Sequence, residues 1–468
     1  MAQAGGPGES GSRGRQPGRA LVAFALLLLP ATPRAETAGP EADGTDCAEE
    51  ALSIGRGTCL SASVIAESFA NLQGGLRRGI TGLGRGAAGL NVDLGAATRS
   101  AALAGWSLQA TAFAIYGRQP SATLTGSLEP VSNAEALSTL RLSELWLERR
   151  FGGAGSLRFG QLTADSEFFI AQAASGFVGG TFGWPASLAT ALPSGGPAYP
   201  LAAPGVRVAL GDPEEGSGLR LGVYGGDPGG RHGPDTDPQR HNRYGTTFST
   251  AGGAFLILEG VVGAPAPGQG RPRPWVARLG GWVHTGRFDD LRRDDGSVAG
   301  GSGLLADPAS SGVPRRHAGN QGAYAVGEVT AWRSATSDIS LFARISAAPG
   351  DRNPLAFYAD GGLAWHGPVP GRPQDLASLG IAYARTGGAG RAADRDRNAL
   401  AGLDLPVRDG ELTAEANYDL SLRDDRFHIQ PVVQWIRHPG AGIPDERSGE
   451  DRRLRDALVL GLRLRARL

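Results

Sequence analysis

The last eleven residues set the constraint that the rest of the chain must obey. In LVLGLRLRARL, Leu458, Leu460, Leu462, Leu464, Ala466 and Leu468 fall on one face of an extended strand. Gly461, Arg463, Arg465 and Arg467 fall on the other, because strand side chains alternate with a period of two. Three arginines do not enter a packed core without partners. Facing lipid would cost about 2–4 kcal/mol each near the bilayer midplane. They require water on their side of the sheet, and the leucines require something apolar on theirs. A soluble sandwich satisfies both demands with the arginines outside. A membrane barrel satisfies them with the arginines lining its lumen.

Alternation of the same kind recurs along the chain. LNVDL (90–94) sets Leu90, Val92 and Leu94 against Asn91 and Asp93. WSLQATAFAIY (106–116) sets Trp106, Leu108, Ala110, Ala112, Ala114 and Tyr116 against Ser107, Gln109 and Thr111. LTAEANYDL (412–420) repeats the pattern with Glu415, Asn417 and Asp419 on its polar face. Such runs reach the roughly 9–11 residues that a tilted strand needs to cross a bilayer, against an ordinary mean of about 5–6. Trp106 and Tyr116 mark the two ends of one apolar face, as interface girdles do.

Connections between the runs alternate in length. Long ones fall near 117–141, 164–203, 225–246, 286–321, 386–410 and 439–452. Short ones fall at 152–155, 211–217, 263–273, 333–338, 367–375 and 421–426, and 347–354 is short where a long one is due. The expectation is an all-β fold, a transmembrane antiparallel β-barrel of about sixteen strands, with long external loops and short periplasmic turns. Its strands run from about Leu60 to Leu468, and a barrel of this size leaves an aqueous channel.

The N-terminus fits export. Arg13, Arg15 and Arg19 precede the apolar run 20–31, which is short for a bilayer span but suits a signal-peptide core. Residues 1–35 are read as that signal, and 36–59 as a short periplasmic segment. The chain's two cysteines, Cys47 and Cys59, lie there. In an oxidising compartment a local disulfide is expected, contributing about 3 kcal/mol in the loop-entropy model. Two free thiols are the alternative. The chain has 46 basic and 46 acidic residues, so there is no electrostatic case for nucleic acid.

The stretch LRLSELWLERRFGGAGSLRFGQL (140–162) reads as a hairpin turning at Gly152–Gly155. Leu145, Leu147, Leu157 and Phe159 would face lipid, and Glu144, Trp146, Glu148 and Arg158 the lumen. Other motifs carry less. GRGAAG (84–89) matches a dinucleotide fingerprint but precedes a strand rather than a helix. The loop 231–245 collects His232, Asp235, Asp237 and His241, but its glycines and prolines read as a loop rather than a metal site. DRDRN (394–398) departs from a calcium loop at Ala399 and Leu405. Glu144 and Glu148 lie four apart on one strand, roughly 13 Å, too far for a glycosidase pair at about 5–9.5 Å. No cofactor or metal is expected.

Several of these stretches resemble the carbohydrate-selective porins of bacterial outer membranes, the OprB family. They are VSNAEALSTLRLSELWLERRF (131–151), SLRFGQLTADSEFF (156–169), TFGWPASLATALPSGGPAYPLAAPGVR (181–207), GGWVHTGRFDDL (280–291) and HIQPVVQWIRHPG (428–440). The resemblance implies a sixteen-stranded outer-membrane barrel that passes sugars passively and performs no catalysis. The chain departs from the usual barrel pattern at its end, where Leu468 replaces a terminal aromatic read by the barrel-assembly machinery. Outer-membrane lipid, and in a homo-oligomer a second copy, would meet the apolar exterior.

The segment 164–203 holds Phe168, Phe169, Phe177, Phe182, Trp184 and Tyr199, too apolar to stay splayed in water. It is expected to fold into the barrel as a constriction loop. Sugars offer hydroxyls and an apolar face, so their site combines charged or amide groups with aromatic surface. The candidate lining residues are Glu144, Trp146, Glu148, Arg158, Gln161, Asp165, Glu167, Trp184 and Arg207, with Arg278, Trp282 and His284 from a later strand. A lumen of mixed sign would disfavour strong ion selectivity. A porin for ions or organic acids and a secreted β-rich carbohydrate-binding protein are the rival readings.

Overall fold

The computed structural model describes Cys47 and residues 51–214, 216–230, 237–267, 271–423, 425–447 and 451–468. The signal segment 1–35, and His232 and Asp235 of the loop weighed for metal, lie outside the described residues.

Seventeen strands run through the described residues: β1 (Ala51–Gly55), β2 (Thr58–Gln73), β3 (Gly79–Asp93), β4 (Trp106–Gly117), β5 (Thr139–Arg150), β6 (Gly155–Leu162), β7 (Ala203–Gly211), β8 (Gly218–Gly225), β9 (Ala254–Gly263), β10 (Trp275–Asp294), β11 (Pro314–Arg333), β12 (Asp338–Ala347), β13 (Leu355–His366), β14 (Leu376–Thr386), β15 (Gly410–Leu422), β16 (Phe427–Arg437) and β17 (Ala457–Arg467). Each strand from β2 onward pairs antiparallel with the next, and β17 returns to β2 with Arg463 opposite Glu67. The ladder is therefore a closed sixteen-stranded barrel, which leaves no open sheet edge in an apolar surround. β1 is an extra strand that folds back on the start of β2, with Leu52 opposite Leu60. Residues 51–59, expected to be part of a plain N-terminal segment, are thus mostly sheet. Cys47 and Cys59 are joined by a disulfide.

Alternation sorts the two faces as the sequence demands. On β17, Leu460, Leu462 and Leu464 are exposed outward, and Arg463 is buried on the inward side. Outward aromatics form two belts. Trp106, Trp275, Trp332 and Trp365 lie at the short-turn end; Tyr116, Phe357, Tyr383 and Trp435 lie at the long-loop end. These are the positions where amphipathic rings gain from a membrane–water boundary. Trp332 reaches its belt through a register shift after Thr330 that moves it to the outward side.

Inside, bulky rings lie over glycines of the neighbouring strand. A Cβ at Gly280 would run into the Tyr324 ring, and one at Gly461 into Phe69. The missing side chain makes the space that the ring fills, so strand packing and curvature are set together.

Two features differ from the sequence reading. The segment 286–321, taken as a loop, continues as ladder to Asp294 and again from Pro314, because Phe288, Asp289 and Asp294 pair with His317, Arg316 and Pro314. On β5 an extra residue sits at Ser143: Thr111 faces Glu144 while Ala112 faces Leu142. This bulge lets Arg141 and Glu144 both point inward although they are three apart, and it re-aims side chains at the site.

Candidate functional site

The connection between β6 and β7, residues 163–202, lies inside the barrel. Phe168, Phe169, Phe177, Phe182 and Leu188 are buried in one apolar cluster with inward side chains of the wall, among them Tyr224, Phe255, Trp282, Tyr324, Phe342 and Tyr358. A loop inside a barrel leaves backbone groups without sheet partners, and each must find one. Here the wall supplies them. Glu259 accepts from the Phe169 N–H at 2.9 Å, Glu328 from Ala173 at 2.9 Å, and Glu415 from Val178 and Gly179 at 2.7 Å each. Arg344 donates to the carbonyls of Phe169, Thr181 and Gly183 at 2.8–3.0 Å. Asp360 holds the same guanidinium through Nε at 3.0 Å. Gln430 donates to Gly176 O and Asn320 to Ala191 O.

The loop 118–138 also folds inward. Glu411 accepts from the N–H groups of Leu128 and Glu129 at 2.8 Å, Gln434 donates to Val131 O, and Arg463 donates to Asn133 Oδ1 at 2.7 Å. Within this loop Glu135 accepts from Ser121 N–H, Ser121 O–H and Ser132 N–H. Burial nevertheless pushes its carboxyl up to about 7.

Against this covered wall stands a charged cluster formed by β5, β6, β7 and the start of the loop 163–202. Arg158 meets Glu148 at 3.1 Å and Glu167 at 2.9 Å; Arg207 meets the same two carboxylates at 3.1 and 2.7 Å. Two cations and two anions alternate, so the group is neutral as a whole and each charge has two opposite neighbours. The Arg158 guanidinium also sits 3.9 Å from the centre of the Trp146 ring. Glu148, Arg207 and Arg220 line a cleft open to solvent with Ser156 and the turn residues Asp212 and Glu214. Beside the cluster, Glu144 accepts from Thr163 O–H at 3.1 Å, and Asp165 accepts from Tyr199 N–H at 2.7 Å. Burial raises the Asp165 carboxyl and pushes the Tyr199 hydroxyl up to about 12. The Arg85 guanidinium lies 5.0 and 5.1 Å from the ring centres of Phe113 and Tyr199, which meet each other edge to face at 5.7 Å.

One stretch of wall is not covered. The inward side chains of Ser61, Ser63, Ala87, Asn91, Gln109 and Thr111 on β2–β4 are short, and none is buried. Asn91 donates to Gln109 at 3.0 Å and Gln109 to Thr111 at 3.1 Å.

Residues 77–468 match the model of the carbohydrate-selective porin family, OprB. The chain belongs to that family. It is similar to Porin B of Pseudomonas aeruginosa, 26% identical over 342 residues that cover 70% of this chain and 68% of that protein. Its fold is similar to the high-pH structure of Pseudomonas putida OprB, with a TM-score of 0.73 at 19% identity, covering 88% of this chain and 94% of that one. The protein is an outer-membrane porin, with its short turns on the periplasmic side and its long loops outside.

The porin brings together seven of the residues named from sequence: Glu144, Trp146, Glu148, Arg158, Asp165, Glu167 and Arg207. The other five take different places. Arg278, Trp282 and His284 face inward, as their parity requires, but are covered: Arg278 pairs at 2.6 Å with Glu328, which holds the loop, Trp282 packs in the loop's apolar cluster, and His284 Nε2 lies 2.8 Å from Gly226 O of the β8–β9 connection. Trp184 bonds Gly195 O within the loop. Gln161 donates to Gly245 O at 2.6 Å, where residues 242–245 fill the gap that opens as β6 leaves β5. Sequence reasoning missed Arg85, Phe113 and the inward loop 118–138. Arg85 was legible by parity, since it shares the inward face with Ala87 and Asn91.

Proposed function

We propose that sugars diffuse passively through a passage bounded by the loop 163–202 on one side and the short polar side chains of β2–β4 on the other. The loop acts as a constriction. The neutral quartet of Glu148, Arg158, Glu167 and Arg207 next to the Trp146 ring carries this reading. It offers hydroxyl partners of both signs beside an aromatic face, as a polyhydroxylated ring with an apolar side requires. Arg85, beside the paired rings of Phe113 and Tyr199, repeats that combination nearby. The quartet's zero net charge argues against strong selection for anions or cations. No catalytic step is part of the reading: carboxylates such as Glu148 and Glu167 are tied up by arginines.

Liposome swelling tests it. Neutral sugars should produce faster swelling than size-matched charged solutes, and Arg158→Ala with Glu148→Ala should slow the sugars selectively. Faster swelling with ions than with sugars would leave a porin of different selectivity. In this proposal the barrel-assembly machinery inserts the chain. Its apolar exterior suits lipid contact all round or a homo-oligomer, which cross-linking in native membranes distinguishes.

A further inference from the structure

The outer rim of the barrel carries charges that solute passage does not use. On β14 the outward face ends in Tyr383 and then Arg385; on β16 it ends in Trp435 and then Arg437. Both arginines are exposed. Neither makes an ion pair or side-chain hydrogen bond with any described residue. The inward arginines contrast with them, since Arg158, Arg207, Arg278, Arg344 and Arg463 all have carboxylate partners.

The two rim arginines are close. Arg385 faces Gly410 across the ladder and Arg437 faces Leu412, so only β15 separates them. At ordinary strand spacing and rise their Cα atoms are about 10–12 Å apart. Phe357 faces Arg385 from β13. The Tyr383 ring lies over Gly410, its hydroxyl about where a Cβ there would make a 3.0 Å contact, which brings that oxygen toward the level of the arginines. Tyr116 near the end of β4 is likewise followed by Arg118 just beyond the strand, and Arg118 is exposed. At the periplasmic end Arg273, two residues before Trp275, is instead tied to Ala264 O at 2.7 Å and to Gly216 O.

An unpaired guanidinium one pleat beyond an aromatic belt stands where lipid headgroups begin. We infer that Arg385, Arg437 and the Tyr383 hydroxyl form a site for the phosphate of an outer-leaflet lipid. The two guanidinium groups supply planar, charge-assisted donors. Phe357, Leu412 and Trp435 supply the apolar surface for its acyl chains. The site rests on the porin's placement in the outer membrane and is independent of which solute passes.

The test titrates the full-length porin in detergent micelles with the diphosphorylated lipid anchor of lipopolysaccharide and reads bound lipid by native mass spectrometry. R385Q/R437Q should bind it about tenfold more weakly. R385K/R437K, which keeps charge but not the planar fork, should fall between. Unchanged affinity in R385Q/R437Q would overturn the site. Full displacement of the lipid by inorganic phosphate at equal concentration would also overturn it, because the ligand would then be a free anion. Heat-dependent gel mobility and sugar swelling on the same samples report folding and pore function separately. Should R385Q/R437Q not fold, R385K/R437K decides alone: affinity equal to that of the parent protein refutes the site.

Discussion

The wall from β8 to β16 and the wall from β2 to β4 share one alternating ladder and differ in what their inward side chains do. The first carries long or charged side chains, such as Glu259, Glu328, Arg344, Glu415 and Gln430, each bonded to a loop inside the barrel. The second carries Ser63, Ala87, Asn91, Gln109 and Thr111 in its periplasmic half. There, among the described residues, Asn91, Gln109 and Thr111 bond only to one another, while Glu67, Asn71 and Arg85 nearer its outer end do meet the inward loops. Long polar side chains project far enough to replace the sheet partners that an inward loop has given up. Short ones leave room for water. On the proposal above, the room for solute comes from this difference in side-chain length between two stretches of one barrel wall.

That comparison breaks most directly at Arg344. Arg344→Ala removes three bonds to loop carbonyls and leaves Asp360 as a buried unpaired charge, a loss of about 3–5 kcal/mol. The loop should loosen, so swelling should become several-fold faster and lose its dependence on sugar size, with a lower unfolding midpoint. Unaltered size dependence would mean that the loop is held by its apolar cluster alone.

Arg207→Met is expected next in size. It leaves Glu148 and Glu167 sharing Arg158, so the quartet changes from neutral to a net charge of minus one. Reversal potentials across planar bilayers should move toward cation preference, and a second charge change at Glu167→Gln should bring them back.

A smaller effect concerns Glu135, in the inward loop 118–138. Its folded value of about 7 lies above its ordinary 4.5, so the folded state binds the proton more tightly. The stability it contributes is complete below pH 4.5, falls as pH rises toward 7, and is flat beyond. Urea unfolding across that window should show a shallower slope in Glu135→Gln than in the parent protein.

The open wall should respond least. Gln109→Ala touches no loop, so stability should change by no more than about 0.5 kcal/mol, while single-channel conductance rises slightly. A large loss of stability would show that this wall also carries load.

Much of this was legible in the sequence. The inward set of Arg463, Arg465 and Arg467, the hairpin at Gly152–Gly155 and the inward turn of 164–203 all follow from side-chain period and from aromatic content that water would not tolerate. Arg278, Trp282 and His284 were placed on the correct face for the same reason, but parity says nothing about what lies over a face. The bulge at Ser143, the ladder continuing beyond His284, and the inward loop 118–138 depend on pairing between residues far apart in the chain. No local pattern encodes them.

The sequence by itself determined the barrel, because a period of two with charges on one face and leucines on the other has few physical solutions. Only the tertiary structure decided which inward residues lie beneath a loop and which stay uncovered. That choice depends on where two loops come to rest, and they rest where carboxylates, amides and guanidinium groups from strands distant in sequence happen to satisfy their backbone.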